Sequence, residues 1–223
     1  MNDRYQELGS HLEAAVVVPV MIVERLEVAV PLARALVDGG LRLLEVTLRT
    51  PVAFDVIRAI TAEVEGAVVG AGTVLTPIQY EEAEQAGARF VVSPGATPGL
   101  LDVAATLEAP LLPGAATASE VMALAERGFR DLKFFPAEPA GGLSYLKALA
   151  SPLPQVRFCP TGGIDLARAK AYLGLPNVVC VGGSWMMPAE AVAAGDLAQI
   201  TLCAKQASGL RFVSKPNRRR EAS

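Results

Sequence analysis

The chain has 223 residues and a formal net charge of -3, so we expect one domain with a large core, and neither nucleic acid nor a membrane as its main partner. Hydrophobic residues make up 52% of the chain and aromatic residues only 5%, a balance typical of helices around a parallel sheet. The three cysteines lack CxxC or Cys/His spacing, which argues against a disulfide framework or a zinc site. We therefore expect a cytoplasmic protein without a metal that acts on a small metabolite.

Strand and helix patterns alternate along the chain. After a helix over residues 1–13, strands are predicted at 16–20, 41–48, 67–70, 89–92, 110–112, 131–136, 156–159 and 178–181, each followed by a helical pattern. Gly39 and Gly40 are expected to end the first of these helices, and Thr50 to cap the second.

Eight such units predict a (β/α)8 TIM barrel over residues 1–213, with the active site at the carboxyl ends of the strands. An open doubly wound sheet is the alternative, but it usually has fewer strands. Residues 214–223 are rich in lysine and arginine without apolar periodicity, and we expect them to form a solvated tail.

Lys133 stands in the middle of the sixth predicted strand, between Leu132 and the pair Phe134-Phe135. Lysine is rarely buried, and desolvation disfavours an ammonium ion, so burial is expected to favour the neutral amine. A neutral amine is a nucleophile that forms a Schiff base with a carbonyl substrate. The competing lysines fall on predicted helices or in the tail: Lys147, Lys170, Lys205 and Lys215.

The second predicted strand carries polar residues at alternate positions. Glu45, Thr47 and Arg49 share one face, which we expect to point inward while the intervening apolar residues pack against helices. Glu45 is a candidate general acid and base, and Arg49 a candidate for two-pronged binding of a carboxylate. The structural alternative is an internal ion pair between Glu45 and Arg49.

Small residues follow most of the predicted strands. Thr161-Gly162-Gly163 and Gly182-Gly183-Ser184 follow strands seven and eight, where phosphate sites of this architecture are commonly built. They predict a phosphate site, although paired glycines also permit tight turns without any ligand.

Six motifs taken together resemble the 2-keto-3-deoxy-6-phosphogluconate (KDPG) aldolase family, which includes the 4-hydroxy-2-oxoglutarate (KHG) aldolases. They lie at residues 44–49, 70–74, 93–95, 133–138, 157–164 and 182–185. The resemblance implies a class I aldolase that needs no metal or cofactor, folds as a (β/α)8 barrel, forms a homotrimer and acts in the Entner-Doudoroff pathway. The implied reaction is cleavage of KDPG, a phosphorylated keto acid, to pyruvate and glyceraldehyde 3-phosphate.

The resemblance also implies a role for each matching residue. Lys133 corresponds to the Schiff-base lysine and Glu45 to the carboxylate that shuttles protons, while Arg49 and Thr73 correspond to the residues that hold the pyruvate carboxylate. The other positions line the pyruvate pocket (Pro94, Phe135 and Thr161) or bind the phosphate group (Gly162, Gly163, Gly183 and Ser184).

Two alternatives stay open at this point. The main substrate is either KDPG or a related compound, KHG or the galactonate epimer of KDPG. In a different class, the chain is a phosphate-binding barrel without catalytic activity. Lys133 favours an enzyme, because a passive binder gains nothing from a desolvated amine.

Overall fold

The computed structural model describes residues 3–210, and the predicted tail at residues 214–223 lies outside them. Within the described residues, no helix is long and apolar enough to cross a membrane. The strands are β1 (Val17–Met21), β2 (Leu43–Thr47), β3 (Val68–Gly72), β4 (Phe90–Val92), β5 (Leu111–Leu112), β6 (Gly114–Ala115), β7 (Asp131–Phe134), β8 (Arg157–Pro160) and β9 (Val181–Gly183).

Helices follow these strands in the order that the sequence predicts. They are α1 (Asp3–Ala15), α2 (Ala29–Asp38), α3 (Ala53–Glu63), α4 (Pro77–Gln85), α5 (Pro98–Ala104), α6 (Ala118–Glu126), α7 (Gly142–Leu149), α8 (Leu166–Leu173), α9 (Ala189–Ala194) and α10 (Leu197–Ser208). The predicted alternation of strands and helices is therefore confirmed.

All the paired strands run parallel. One sheet has the order β5-β4-β3-β2-β1-β9 and the other has the order β6-β7-β8. Only Pro113 separates β5 from β6, and proline has no N-H group to donate to a neighbouring strand. On the other side, two isolated parallel bridges, Phe158 to Val178 and Thr161 to Gly182, connect β8 with the segment that contains β9.

Apolar side chains form two cores, as expected for strands buried on both faces. In the larger one, Leu44 and Val46 of β2 pack with Ile57 and Ile60 of α3 and with the other helices. The smaller core joins side chains of both sheets, including Val18 of β1, Phe90 of β4 and Cys159 of β8. The smaller core therefore lies between the two sheets.

Helix α1 covers the amino-terminal end of the strands. Leu8 and Leu12 of α1 belong to the smaller core. Arg157, the first residue of β8, donates to both carboxylate oxygens of Asp131 at 2.7 and 2.8 Å and also contacts Glu13 of α1. These contacts close the end of the strands opposite to their carboxyl ends.

Several predicted boundaries are wrong in informative ways. Thr50 does not cap α3, which begins at Ala53 without a side-chain cap, because the Thr50 hydroxyl donates to the carbonyl of Val23 at 2.8 Å. The last strand lies at Val181–Gly183 rather than at 178–181. The helical pattern after β1 begins at Glu24 in the sequence, but α2 begins at Ala29 because a 3-10 turn at Leu26–Val28 precedes it.

We predict that Leu12→Ala destabilises the fold, because the leucine is only 1% exposed and its loss opens a cavity that costs about 2–5 kcal/mol. Urea denaturation measures the change. Leu202→Ala is the matched control, since Leu202 is 51% exposed and its replacement is expected to change stability by less than about 0.5 kcal/mol. Equal effects of the two changes would contradict the placement of α1.

Candidate active site

A buried ion pair lies between β7 and β2. The amine of Lys133 is 2.9 Å from the Oε1 atom of Glu45, and each side chain is only 4% exposed. In every other ion pair among the described residues, at least one of the two side chains is more exposed than those of Lys133 and Glu45. The alternative pairing of Glu45 with Arg49 is thus not formed.

Two glycines on strands next to the pair lie in close contact with neighbouring groups. Gly72 of β3 lies beside Thr47 of β2, and a Cβ atom on Gly72 would lie 2.2 Å from the Glu45 carboxylate. Gly114 of β6 lies beside Lys133 in the sheet, and a Cβ atom there would lie 2.2 Å from the carbonyl oxygen of Pro94. Larger residues at these two positions would collide with the site.

An aromatic ring also lies near Lys133. Its amine lies 5.4 Å from the centre of the Phe135 ring, and the Phe135-Pro136 peptide bond is cis. Burial disfavours isolated charges, whereas an opposite charge within hydrogen-bond distance favours the ionised pair. The structure therefore brings the Glu45 carboxylate, a candidate general acid and base, within hydrogen-bond distance of Lys133 as an acceptor for its proton.

The side chains of Arg49 and Thr73 are also in contact. Arg49 lies in the turn beyond β2, where the alternation of the strand no longer applies, and its Nε atom donates to the Thr73 hydroxyl at 3.2 Å. The terminal guanidinium nitrogens have no partner within residues 3–210 and can bind a carboxylate. The third member of the predicted inward face, Thr47, donates instead to the carbonyl of Met21 at 2.9 Å and connects β2 to β1.

The remaining predicted pocket residues lie at the carboxyl ends of three strands. Pro94 lies two residues beyond β4 and Phe135 directly follows β7. Thr161 directly follows β8, is buried, and donates to the carbonyl of Cys159 at 3.4 Å. All three therefore lie at the same end of the sheets as the Lys133 pair.

The loop at Gly162 and Gly163 has a defined backbone orientation. Both residues adopt positive φ angles, 106° and 77°, which glycine tolerates without strain. The carbonyl of Gly162 accepts from the N-H of Glu138 at 3.2 Å, and the carbonyl of Gly163 accepts from Arg168 at 3.1 Å. Both carbonyls therefore face the Glu138 side of the loop.

A trans peptide unit points its N-H group away from its carbonyl. The N-H groups of Gly163 and Ile164 consequently point away from Glu138, and no acceptor for them lies in the described part of the chain. Across the loop, Gly183 is covered by the Trp185 ring and Ser184 is exposed. Adjacent backbone N-H groups of this kind form an anion-binding concavity.

Sequence reasoning gave no role to Glu138, Arg168 or Tyr172. The Tyr172 hydroxyl donates to Glu138 at 2.5 Å, and Arg168 lies 3.3 Å from the other carboxylate oxygen of Glu138. The available signal was the spacing of Arg168 three residues after Asp165, which caps α8 by accepting from the Arg168 N-H. That spacing predicts a local pair but not the contact with Glu138.

Comparison with known proteins assigns the family. Residues 8–203 match the profile described as "KDPG and KHG aldolase". The chain belongs to the KDPG and KHG aldolase family. Among curated relatives in this family, the KHG/KDPG aldolase of Escherichia coli (strain K12) is 54% identical over 198 residues, which are 89% of this chain and 93% of the relative. The 2-dehydro-3-deoxy-phosphogluconate aldolase of Dickeya dadantii is 52% identical over 88% of this chain and 92% of its own.

Solved aldolase structures share the fold. KDPG aldolase from Legionella pneumophila, with pyruvate captured at low pH as a covalent carbinolamine intermediate, superposes with a TM-score of 0.88 at 46% identity over 90% of this chain and 98% of its own. The Zymomonas mobilis aldolase with 3-phosphoglycerate gives 0.88 at 48% identity over 94% and 98% of the two chains. The resemblance found in the sequence motifs is thereby confirmed.

We predict that Gly72→Ala lowers aldolase activity about 100-fold, because the new methyl group displaces the Glu45 carboxylate, and small misplacements of reacting groups have effects of this size. Steady-state kinetics measures the loss. Gly99→Ala is the control, since a Cβ atom there meets only Pro77 at an ordinary 3.5 Å. An unchanged rate for Gly72→Ala would contradict the close approach of β3 to Glu45.

Proposed function

We propose that the protein is a class I aldolase that cleaves KDPG to pyruvate and glyceraldehyde 3-phosphate through a Schiff base on Lys133, in the cytoplasm and in the Entner-Doudoroff pathway. The observation that carries the proposal is the buried pair of Lys133 and Glu45 at 2.9 Å. Three relatives are named 2-dehydro-3-deoxy-phosphogluconate aldolase, which supports KDPG as the substrate. No metal or cofactor enters this reaction.

The first half of the reaction builds the electron sink. Lys133 passes a proton to Glu45 along their hydrogen bond, and the neutral amine attacks the C2 ketone of the substrate. The product is a carbinolamine, the kind of intermediate captured with pyruvate in the Legionella pneumophila aldolase. Glu45 then returns the proton to the carbinolamine oxygen, water leaves, and an iminium ion remains on Lys133.

The second half breaks the carbon-carbon bond. Glu45, directly or through a water molecule, removes the proton of the C4 hydroxyl while the electrons of the C3-C4 bond move into the iminium ion. Glyceraldehyde 3-phosphate leaves, and pyruvate remains on Lys133 as an enamine. Protonation at C3 and hydrolysis then release pyruvate and regenerate the lysine.

The two ends of the substrate are held by separate groups. Arg49 and Thr73 bind the pyruvate carboxylate, and the half-buried Pro94 and Phe135 with Thr161 line the pocket around it. The phosphate group is bound at Gly162, Gly163, Gly183 and Ser184. Binding energy at the phosphate, far from the reacting bond, positions C2 against Lys133.

We further infer that the two sheets close into a single (β/α)8 barrel in one domain, and that the chain assembles as a homotrimer. The interruption at Pro113 and the bridges between β8 and the β9 segment support closure, because β5 and β6 then count as one strand, flanked by β4 and β7. The trimer follows from the family resemblance, and sedimentation equilibrium tests it.

KHG is the second candidate substrate, since a relative at 54% identity is a KHG/KDPG aldolase. KHG has no phosphate group, so the N-H groups of Gly163 and Ile164 favour KDPG as the better substrate. The third possibility, a phosphate-binding barrel without activity, gives no reason for a buried amine paired with a carboxylate.

We predict that Lys133→Ala abolishes cleavage of KDPG, because no other lysine among the described residues is buried beside a carboxylate. Glu45→Gln is expected to lower kcat by about 10²–10⁴, the usual contribution of a general acid and base. Release of pyruvate measures both.

Lys147→Ala is the control for the lysine change, since Lys147 is exposed on α7, and it is expected to retain the wild-type rate. Near-normal turnover by Lys133→Ala would end the Schiff-base assignment.

A further inference from the structure

A network of three side chains lies beneath the loop at Gly162 and Gly163. The carboxylate of Glu138 accepts from the Tyr172 hydroxyl at 2.5 Å through one oxygen and lies 3.3 Å from the Arg168 Nε atom through the other. We call Glu138, Tyr172 and Arg168 the loop brace. Its members come from the turn after β7 and from α8, so it joins two consecutive units of the fold.

The loop brace contacts the loop at three places. The Glu138 N-H donates to the Gly162 carbonyl at 3.2 Å, and the Arg168 guanidinium donates to the Gly163 carbonyl at 3.1 Å. The Glu138 side chain also packs against Gly163, where an added Cβ atom would lie 2.8 Å from Glu138 Cγ. Both peptide units that present free N-H groups are therefore oriented by the brace.

We propose that the loop brace positions the N-H groups of Gly163 and Ile164 for the substrate phosphate, so that Glu138 and Arg168 are positioning residues that set the preference for phosphorylated over unphosphorylated substrates. The inference rests on the proposed aldolase function and adds residues to it. A rotated peptide unit would turn its N-H group away from the anion, and only a phosphorylated substrate would suffer.

Electrostatics explains why a carboxylate is tolerated beside an anion site. Arg168 pairs with Glu138 and, at 3.0 Å, with Asp165, so its charge offsets negative charge close to the loop. Burial, and then the hydrogen bond to Glu138, raise the pKa of Tyr172, so its hydroxyl remains a donor at neutral pH. Glu138 thus keeps two partners while the phosphate group occupies the other side of the loop.

The turn after β7 also connects the loop at Gly162 and Gly163 to Lys133. Glu138 lies five residues after Lys133, and the intervening Ala137 N-H donates to the Thr161 carbonyl at 2.8 Å. A change in the brace therefore alters where the phosphate is held relative to Lys133. It leaves the Lys133 pair with Glu45 in place.

The test compares two substrates in the purified full-length enzyme. Arg168→Ala and Tyr172→Phe are each expected to lower kcat/KM for KDPG about tenfold, the effect of losing one charge-assisted hydrogen bond. For KHG, which has no phosphate, kcat/KM is expected to change less than about twofold, because the Lys133 chemistry is untouched. Tyr172→Phe removes only a hydroxyl group and keeps the packing of the buried ring on α8, so it tests the brace even if Arg168→Ala fails to fold.

Arg58→Ala is the matched control. Arg58 forms the same exposed pair with an aspartate three residues earlier, Asp55, at 2.6 Å, but it lies on α3 and not at the loop. It is expected to leave both substrates unchanged. Equal losses on the two substrates in Arg168→Ala and Tyr172→Phe, or no loss on KDPG, would overturn the inference. A wild-type enzyme that cleaves neither substrate would overturn the proposed function and this inference with it.

Discussion

The ion pair of Lys133 and Glu45 is the constraint around which the carboxyl end of the strands is built. Two opposite charges have left water, and removing one of them leaves the other buried and unpaired, a loss of about 3–5 kcal/mol. The neighbouring strand β3 accommodates the pair through glycine at position 72, where a Cβ atom would collide with the Glu45 carboxylate. In the proposed reaction, the same two groups serve as proton donor and acceptor.

Stability and chemistry lie at opposite ends of the strands. At the amino-terminal end, α1 supplies Leu8 and Leu12 to the smaller core, and Arg157 joins that helix to β7. At the carboxyl end, the N-H groups of Gly163 and Ile164 have no acceptor within the described residues. The loop at Gly162 and Gly163 is held there by hydrogen bonds from the Glu138 N-H and the Arg168 guanidinium to its carbonyls.

Much of this arrangement follows from local sequence pattern. Alternating apolar runs predicted the order of strands and helices, and a lysine inside an apolar strand predicted a buried amine. The pairing of Lys133 with Glu45 could not be predicted from these patterns, because the residues are 88 positions apart. Periodicity indicates which face of a strand a side chain lies on, but not which residue of another strand it contacts. Thr50 was misjudged as a helix cap for a related reason: it lies beyond the end of β2, where its hydroxyl donates to the carbonyl of Val23.

Trapping of the covalent intermediate tests whether Lys133 forms the Schiff base. The enzyme is incubated with pyruvate, reduced with borohydride, digested and mapped by mass spectrometry. We expect one adduct, a reduced pyruvate imine on the peptide that contains Lys133, and none without pyruvate. An enzyme that forms no adduct, or forms it on another lysine, would contradict the assignment of Lys133 as the Schiff-base residue.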